Sequence, residues 1–161
     1  MTQKKIHIDE KKLQHQYGYR FIKRLFDVVA SSVAVVILSP VFLIIAIAIK
    51  INDPAGPVFY TQTRVGKDGK PFKMFKFRSM VTNADELLEK LRDQNEVEGA
   101  MFKMKEDPRI TKVGKFIRKY SLDELPQLLN VVGGSMSIVG PRPPLPYEVK
   151  EYTDYDRQRL M

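Results

Sequence analysis

The stretch VVASSVAVVILSPVFLIIAIAI occupies residues 28–49 and carries no charge. A helix of about 20 apolar residues crosses the roughly 30 Å hydrocarbon core of a bilayer, so this segment is long enough to span one. Ser39-Pro40 stands in its middle, Lys23 and Arg24 precede it, and Lys50 follows it directly. Proline lacks an N–H, and in a straight helix its ring meets the carbonyl four residues back, here that of Val36. The residue before proline is also pushed away from helical angles. A neighbouring serine hydroxyl can bond a freed carbonyl, which lowers the cost of a break inside lipid. Two half-helices of about eleven residues, rising about 1.5 Å each, reach only about 16 Å, roughly one leaflet. Basic residues at both ends give little orientation to a simple span and suit two cytoplasmic ends. Three readings stand: a re-entrant hairpin, a kinked transmembrane helix, and a helix buried in a soluble core. The proline and the flanks favour the first. The third needs an apolar enclosure that few chains of this length can supply. A cleaved signal peptide does not fit, because the run is too long, starts too late and is followed by no small-residue cleavage pattern.

The chain has 161 residues, which suits one domain. It contains no cysteine, which excludes disulfides and thiolate metal sites. The formal net charge is +8, and residues 1–27 carry seven Lys and Arg against three acids. A basic segment beside a long apolar one marks a membrane protein whose basic flank stays cytoplasmic. Such a balance also suits a phosphorylated substrate or nucleic acid. The basic residues are scattered and no nucleic-acid motif accompanies them, so a nucleic-acid partner is not expected. Tyr17, Tyr19 and Phe21 among Lys and Arg suit an interfacial helix leading into the membrane. His7 and His15 have no nearby acidic pair and read as surface residues. The organisation expected is a basic interfacial segment at 1–24, a membrane segment at 25–50, and a further domain at 51–161.

After Lys50 the pattern changes. Asn52-Asp53-Pro54 and Gly56-Pro57 signal turns. Val58–Val65 reads as a strand, GKDGKP at 66–71 as a turn, and Phe72–Arg78 as a second strand. Alternation puts Phe75 and Phe77 on one face, and Met74, Lys76 and Arg78 on the other. That basic face is either solvated or contacts phosphates. Thr82 or Asn83 can cap a helix from about Ala84 to Arg92, with Leu87, Leu88 and Leu91 on one side. Residues 95–105 are less regular, and Met101, Phe102 and Met104 read as core or membrane-surface residues.

The densest stretch is DPRITKVGKFIRKYSLDELPQLLNVVGGSMSIVGPRPPLPYEV, residues 107–149. Val113–Lys119 reads as a helix with Phe116 and Ile117 inward. Ser121 and Glu124 have the spacing of an S-x-x-E capping box, which gives Glu124 a purely structural role. Asp123 and Glu124 would then lie in the first turn, near the positive helix end. Adjacent carboxylates can also bind Mg²⁺, or divide nucleophile and base roles. Gly133-Gly134 would end the helix Leu125–Val132. Gly140-Pro-Arg-Pro-Pro is either a stiff turn or a preorganised loop that presents Arg142 to an anion.

Three segments in this order, KRLFDVVASS…LSPVF, GPVFYTQTRVGKDGKPFKMFKFRSM and DPRITKVGKFIRKYSLDELPQLLNVVGGSMSIVGPRP, make the chain resemble the bacterial sugar transferases over roughly residues 20–147. These are monotopic polyprenyl-phosphate phosphoglycosyl transferases that start exopolysaccharide and capsule synthesis. The resemblance implies an α+β, mainly helical fold. A re-entrant helix broken at Ser39-Pro40, a small β-hairpin and short interfacial helices would surround a cytoplasmic active site. It implies transfer of a sugar 1-phosphate from a UDP-sugar to undecaprenyl phosphate, with release of UMP, at the cytoplasmic face of the bacterial inner membrane. Asp123 would be the nucleophile, with Glu124 as its metal-site or proton-handling partner, and the two carboxylates would hold Mg²⁺. Arg118 falls where the family places a phosphate-binding arginine, and Arg142 and Arg78 are further candidates. The lipid bilayer is a partner, and a second copy of the chain or polysaccharide-assembly proteins are further ones. The chain ends at YDRQRLM, where the family normally continues into further interfacial helices, so a catalytic module lacking that end is expected. The rival reading is a non-catalytic, basic, membrane-anchored binding protein of the polysaccharide machinery.

Overall fold

The computed structural model describes residues 16–91 and 107–161. His7, His15, the irregular segment at 95–105 with Met101, Phe102 and Met104, and the side chains of Leu88 and Leu91 lie outside the described residues.

The apolar stretch belongs to a single helix, α1, Tyr17–Asn52, with Pro40 inside it. The helical assignment runs through Ser39-Pro40 without interruption. Proline removes one hydrogen bond from the ladder, and the turns on either side keep theirs. The helix stops before Pro54, and the Lys50 ammonium donates to the carbonyls of Pro54 (3.2 Å) and Gly56 (2.9 Å) just beyond it. Only 11% of the apolar window of α1 is buried by the rest of the fold. Val29, Val33, Val36, Ile37, Leu43, Ile44 and Ile47 are all exposed.

A two-stranded sheet follows, β1 Phe59–Val65 and β2 Pro71–Phe77. The hairpin turns at Asp68 and Gly69, which both have positive φ (56° and 72°). The five residues 66–70 connect the strands, and Lys70 N donates to Lys67 O at 3.2 Å across a turn whose two central residues need positive φ, which is why Asp-Gly stands there. The rest is helical: α2 Ala84–Leu91, α3 Lys112–Lys119, α4 Gln127–Gly133, α5 Pro146–Lys150 and α6 Asp154–Arg157. The fold is mainly helical α+β, with one long apolar helix and one hairpin.

The chain forms two compact units. One comprises residues up to Leu38, Thr61–Phe75 and Gln127–Met161; the other comprises Ser39–Tyr60 and Lys76–Pro126. In the second unit the core is Ile45, Ile49, Phe77 and Ile117, with Phe42, Val58, Val113, Leu122 and Leu125 among the residues packed on it. The Phe77 ring lies 5.4 Å from that of Phe42, edge-on, and 5.3 Å from that of Phe59, stacked. Burying such a ring contributes about 3 kcal/mol. Residues 79–81 run beside 109–111, joined by Val81 N to Arg109 O (2.9 Å) and Thr111 N to Ser79 O (3.1 Å). The Thr111 hydroxyl then caps α3 by accepting from Gly114 N at 2.8 Å. Gly114 and Ile117, three residues apart, form the buried face of α3. Phe116 is therefore exposed rather than inward and lies against Tyr120. Neighbouring helical side chains diverge by about 100°, and with the buried face of α3 centred on Gly114 and Ile117, Phe116 falls outside it.

In the first unit Asn130 joins α4 to the hairpin. Its carbonyl accepts from Phe75 N (2.8 Å), and its amide donates to Lys73 O (2.8 Å) and Ser135 Oγ (3.0 Å). Arg24 of α1 donates to the carbonyls of Val131 (2.6 Å) and Val132 (2.8 Å) at the end of α4, where Val131 O also accepts from Gly134 N (3.1 Å). Gly134, at φ 88°, turns the chain there.

Candidate active site

Asp123 sits in a single 3₁₀ turn, Leu122–Glu124, just after α3. The chain reaches it through Ser121, whose φ of 56° and ψ of 22° are left-handed. A helix cap of the S-x-x-E kind needs extended backbone at its first residue. Ser121 therefore makes no side-chain cap, and the capping-box reading of Glu124 is corrected. Pro126, fully buried, cannot continue the preceding turn, so α4 starts at Gln127 rather than at Leu125.

With the capping role gone, Glu124 is left half-exposed and faces Lys76, whose ammonium lies 2.8 Å from Glu124 Oε1. Asp123 is 9% exposed. Burial pushes its carboxyl above the ordinary range; Lys76 pulls it down, Glu124 adds to the rise, and Arg118 pulls it down again. The second unit thus brings Asp123, Glu124, Arg118 and Lys76 within electrostatic reach of one another. A desolvated carboxylate beside two cations can act as a nucleophile toward phosphorus, while the cations attract the anionic group attached to it.

Arg78 is placed differently. Its guanidinium is buried and holds Asp53, with Nη1 2.6 Å from Oδ2 and Nη2 2.7 Å from the backbone oxygen. The side chain passes close over Gly56, where any Cβ would collide with it. Met74 is buried as well, so the face of β2 predicted to be basic offers Lys76 alone as a partly accessible cation. Ser39 and Pro40 lie within α1, at the first residues of the second unit.

Arg142 belongs to the first unit. It lines a cleft of about 740 Å³ together with Arg20, Lys23, Arg24, Lys67 and Arg159. Pro143 O accepts from the buried Arg64 (3.1 Å) and Pro144 O from Val65 N (2.9 Å), so β1 holds the proline loop.

Among the described residues no group of three or more His, Cys, Asp or Glu side chains is placed to hold a metal. Two adjacent carboxylates nevertheless fit Mg²⁺, which commonly takes one or two carboxylates together with substrate phosphates and water. Asp123 and Glu124 supply such a donor set.

Sequence reasoning did not single out Lys76 as part of this cluster. Strand alternation placed it on a face, but its acidic partner lies 48 residues away. Asp27 escaped too, although it is a buried carboxylate at the edge of an apolar run.

A family profile described as bacterial sugar transferase matches residues 18–161. An undecaprenyl-phosphate galactose phosphotransferase of Salmonella typhimurium is 50% identical over 139 residues, 84% of this chain and 29% of that protein. The exopolysaccharide production protein ExoY of Rhizobium meliloti is 48% identical over 134 residues, 81% of this chain and 59% of its own length. A UDP-glucose:undecaprenyl-phosphate glucose-1-phosphate transferase of Escherichia coli is 48% identical over 124 residues, 77% of this chain and 24% of its own. The chain thus spans less than two thirds of each of these relatives. With a profile match over most of its length, the chain belongs to the bacterial sugar transferase family.

Proposed function

We propose that this chain carries the catalytic residues for moving a sugar 1-phosphate from a UDP-sugar to undecaprenyl phosphate, the first membrane step of exopolysaccharide or capsule synthesis. The observation that carries the reading is the buried Asp123 carboxylate, flanked by Lys76 and Arg118 and next to the exposed Glu124. The names of the relatives support the substrates.

In the first half-reaction an Asp123 carboxylate oxygen attacks the phosphorus that bears the sugar. The bond from that phosphorus to the UMP oxygen breaks, and UMP leaves with the electron pair. In the second half-reaction an oxygen of the lipid phosphate attacks the same phosphorus. The acyl phosphate bond breaks, Asp123 is regenerated, and a lipid diphosphate sugar forms. The covalent intermediate lets a soluble donor and a lipid acceptor use one site in turn. Arg118 and Lys76 attract and orient the phosphates, and Glu124 handles protons or completes the Mg²⁺ donor set. Mg²⁺ on Asp123 and Glu124, when bound, neutralises charge on the diphosphate and on the leaving UMP. Arg142 holds a second phosphate position. Arg78 serves through its ion pair with Asp53 rather than by meeting substrate.

The same proposal covers the setting. Residues 25–50 enter the inner membrane and return at Ser39-Pro40, residues 1–24 lie at the interface, and residues 51–161 work at the cytoplasmic face. The exposure of the apolar side chains of α1 supports insertion into lipid.

The test is UMP release from a panel of UDP-sugars with undecaprenyl phosphate and Mg²⁺ in nanodiscs, comparing the parent with Asp123→Asn. The expected result is release by the parent with one sugar preferred, none by the variant, and equal membrane association of both. Turnover by Asp123→Asn at the parent rate would remove Asp123 from the nucleophile role. Release by neither protein would favour the non-catalytic binding reading.

A further inference from the structure

Asp27 is nearly fully buried, 3% exposed. Both its oxygens are used. Oδ2 accepts from the Ser137 hydroxyl at 2.7 Å and lies 3.4 Å from the Lys23 ammonium, while Oδ1 accepts from Ile138 N at 3.2 Å. Lys23 also donates to Ser137 Oγ. One acid on α1 thus grips two consecutive residues that are 110 and 111 positions away in the chain.

The gripped residues stand one residue before the loop Gly140-Pro141-Arg142-Pro143-Pro144. The far end of that loop is held by the carbonyls of Pro143 and Pro144 on Arg64 and Val65. Between the two anchors lie only Val139 to Arg142. Pro141 has a fixed φ, and the prolines after Arg142 restrict that residue too. A segment this short, pinned at both ends, leaves Arg142 little backbone freedom, and Arg142, Lys23, Asp27 and Ser137 line the same cleft. We infer that Asp27 is a positioning residue: through Ser137 and Ile138 it fixes the loop that aims Arg142 at a substrate phosphate. This rests on the reading of Arg142 as a phosphate-binding group.

The mechanism predicts a particular kinetic pattern. Asp27→Asn keeps the size of the side chain but replaces one acceptor oxygen with an amide that cannot accept from Ser137 or Lys23. The loop loosens, Arg142 is less often in place, and binding of its phosphate weakens before the chemical step does. The expected change is a rise in KM on the order of tenfold with kcat within about twofold. Varying the UDP-sugar and the undecaprenyl phosphate in turn shows which of the two phosphates Arg142 serves. Because Asp27 acts through Arg142, the Asp27→Asn/Arg142→Ala double variant should be no worse than Arg142→Ala alone.

A second readout does not depend on turnover. The chain has no cysteine, and Val139 is exposed between the anchors, so Val139→Cys accepts a single nitroxide label. In nanodiscs the label should be restricted in the parent and more mobile in Asp27→Asn, with helical content and melting temperature showing that both are folded. Unchanged label mobility in a folded Asp27→Asn overturns the inference, whatever the activity. Additive losses in the double variant also overturn it, because a merely structural acid would lower activity independently of Arg142. A loosened loop together with a silent Arg142→Ala would keep the anchor and sink the phosphate-binding reading of Arg142 instead. If Asp27→Asn does not fold, Ser137→Ala removes the same contact from the loop side and must give the same label and KM changes.

Discussion

Gly114 is the position where a single methyl group separates local propensity from tertiary fit. It lies on α3, two turns before the Ser121-Leu122-Asp123 segment, and it faces Ser79. A Cβ built there runs into the Ser79 carbonyl oxygen and comes within 2.8 Å of the Ser79 carbonyl carbon and 2.9 Å of Thr111 Oγ1. Neither neighbour can move freely: Thr111 N donates to Ser79 O at 3.1 Å, and Thr111 Oγ1 is the cap of α3. Overpacking of this kind costs about 1–3 kcal/mol. Disturbing the cap puts about another 1 kcal/mol at risk. Against this, alanine is favoured over glycine inside a helix by about 1 kcal/mol. The net expectation for Gly114→Ala is a loss of about 2 kcal/mol. For a chain of this size that lowers the melting temperature by roughly 4–8 °C. Gly133 supplies the control, since a Cβ there meets nothing within 4 Å; Gly133→Ala should be neutral or stabilising by up to about 1 kcal/mol. Melting followed by circular dichroism in one detergent decides the matter. A Gly114→Ala protein as stable as the parent, with normal UMP release, would refute the tight approach of α3 to Ser79.

Three further outcomes follow from particular contacts. Asp107 accepts from Arg109 N (3.0 Å), Nε (2.9 Å) and Nη2 (2.7 Å), and both side chains are buried; Asp107→Ala removes this buried ion pair and should cost about 3 kcal/mol in denaturant unfolding. The Arg109 hydrogen bond holds the Asp107 carboxyl below its ordinary 3.8, so its stabilisation is fully present above that pH and is lost as pH falls through the lower folded value; parent and variant stabilities should converge in strong acid. Lys76→Met should lower UMP release by about an order of magnitude, yet alter stability by less than about 1 kcal/mol because the ion pair with Glu124 is partly solvated; equal release would detach Lys76 from the site. Pro40→Ala should restore the hydrogen bond that proline omits and favour a straight spanning helix, read as loss of cytoplasmic labelling at one end of residues 25–50.

What could be read in advance is what depends on neighbours in the chain. The Asp68-Gly69 turn, the strands beside it, the helix over Val113–Lys119 and the end of α4 at Gly133-Gly134 are set by residues within about four positions of one another. The acid pair at 123–124 was visible because its two members are adjacent. Its surroundings were not. Ser121 has the chemistry of a helix cap, and only the backbone path out of α3 shows that it is left-handed and unable to act as one. Phe116 has the chemistry of a core residue, and only the packing of Gly114 and Ile117 shows which face of α3 is buried.

The same reasoning explains why the three arginines of the phosphate reading end up in different situations although all stand in basic, motif-rich sequence. Arg118 stays near Asp123 because α3 and the following turn are continuous in the chain. Arg78 meets Asp53, 25 residues earlier, and once buried with that carboxylate it would leave an uncompensated charge if it turned to a substrate. Arg142 depends on contacts with Asp27 and Arg64 at the two ends of its loop, more than 75 residues away in each case. A basic residue reads as a phosphate ligand from sequence because charge is all that sequence displays. Arg78 is withdrawn by an acid 25 residues away in the chain, and that pairing becomes identifiable only when the chain is closed.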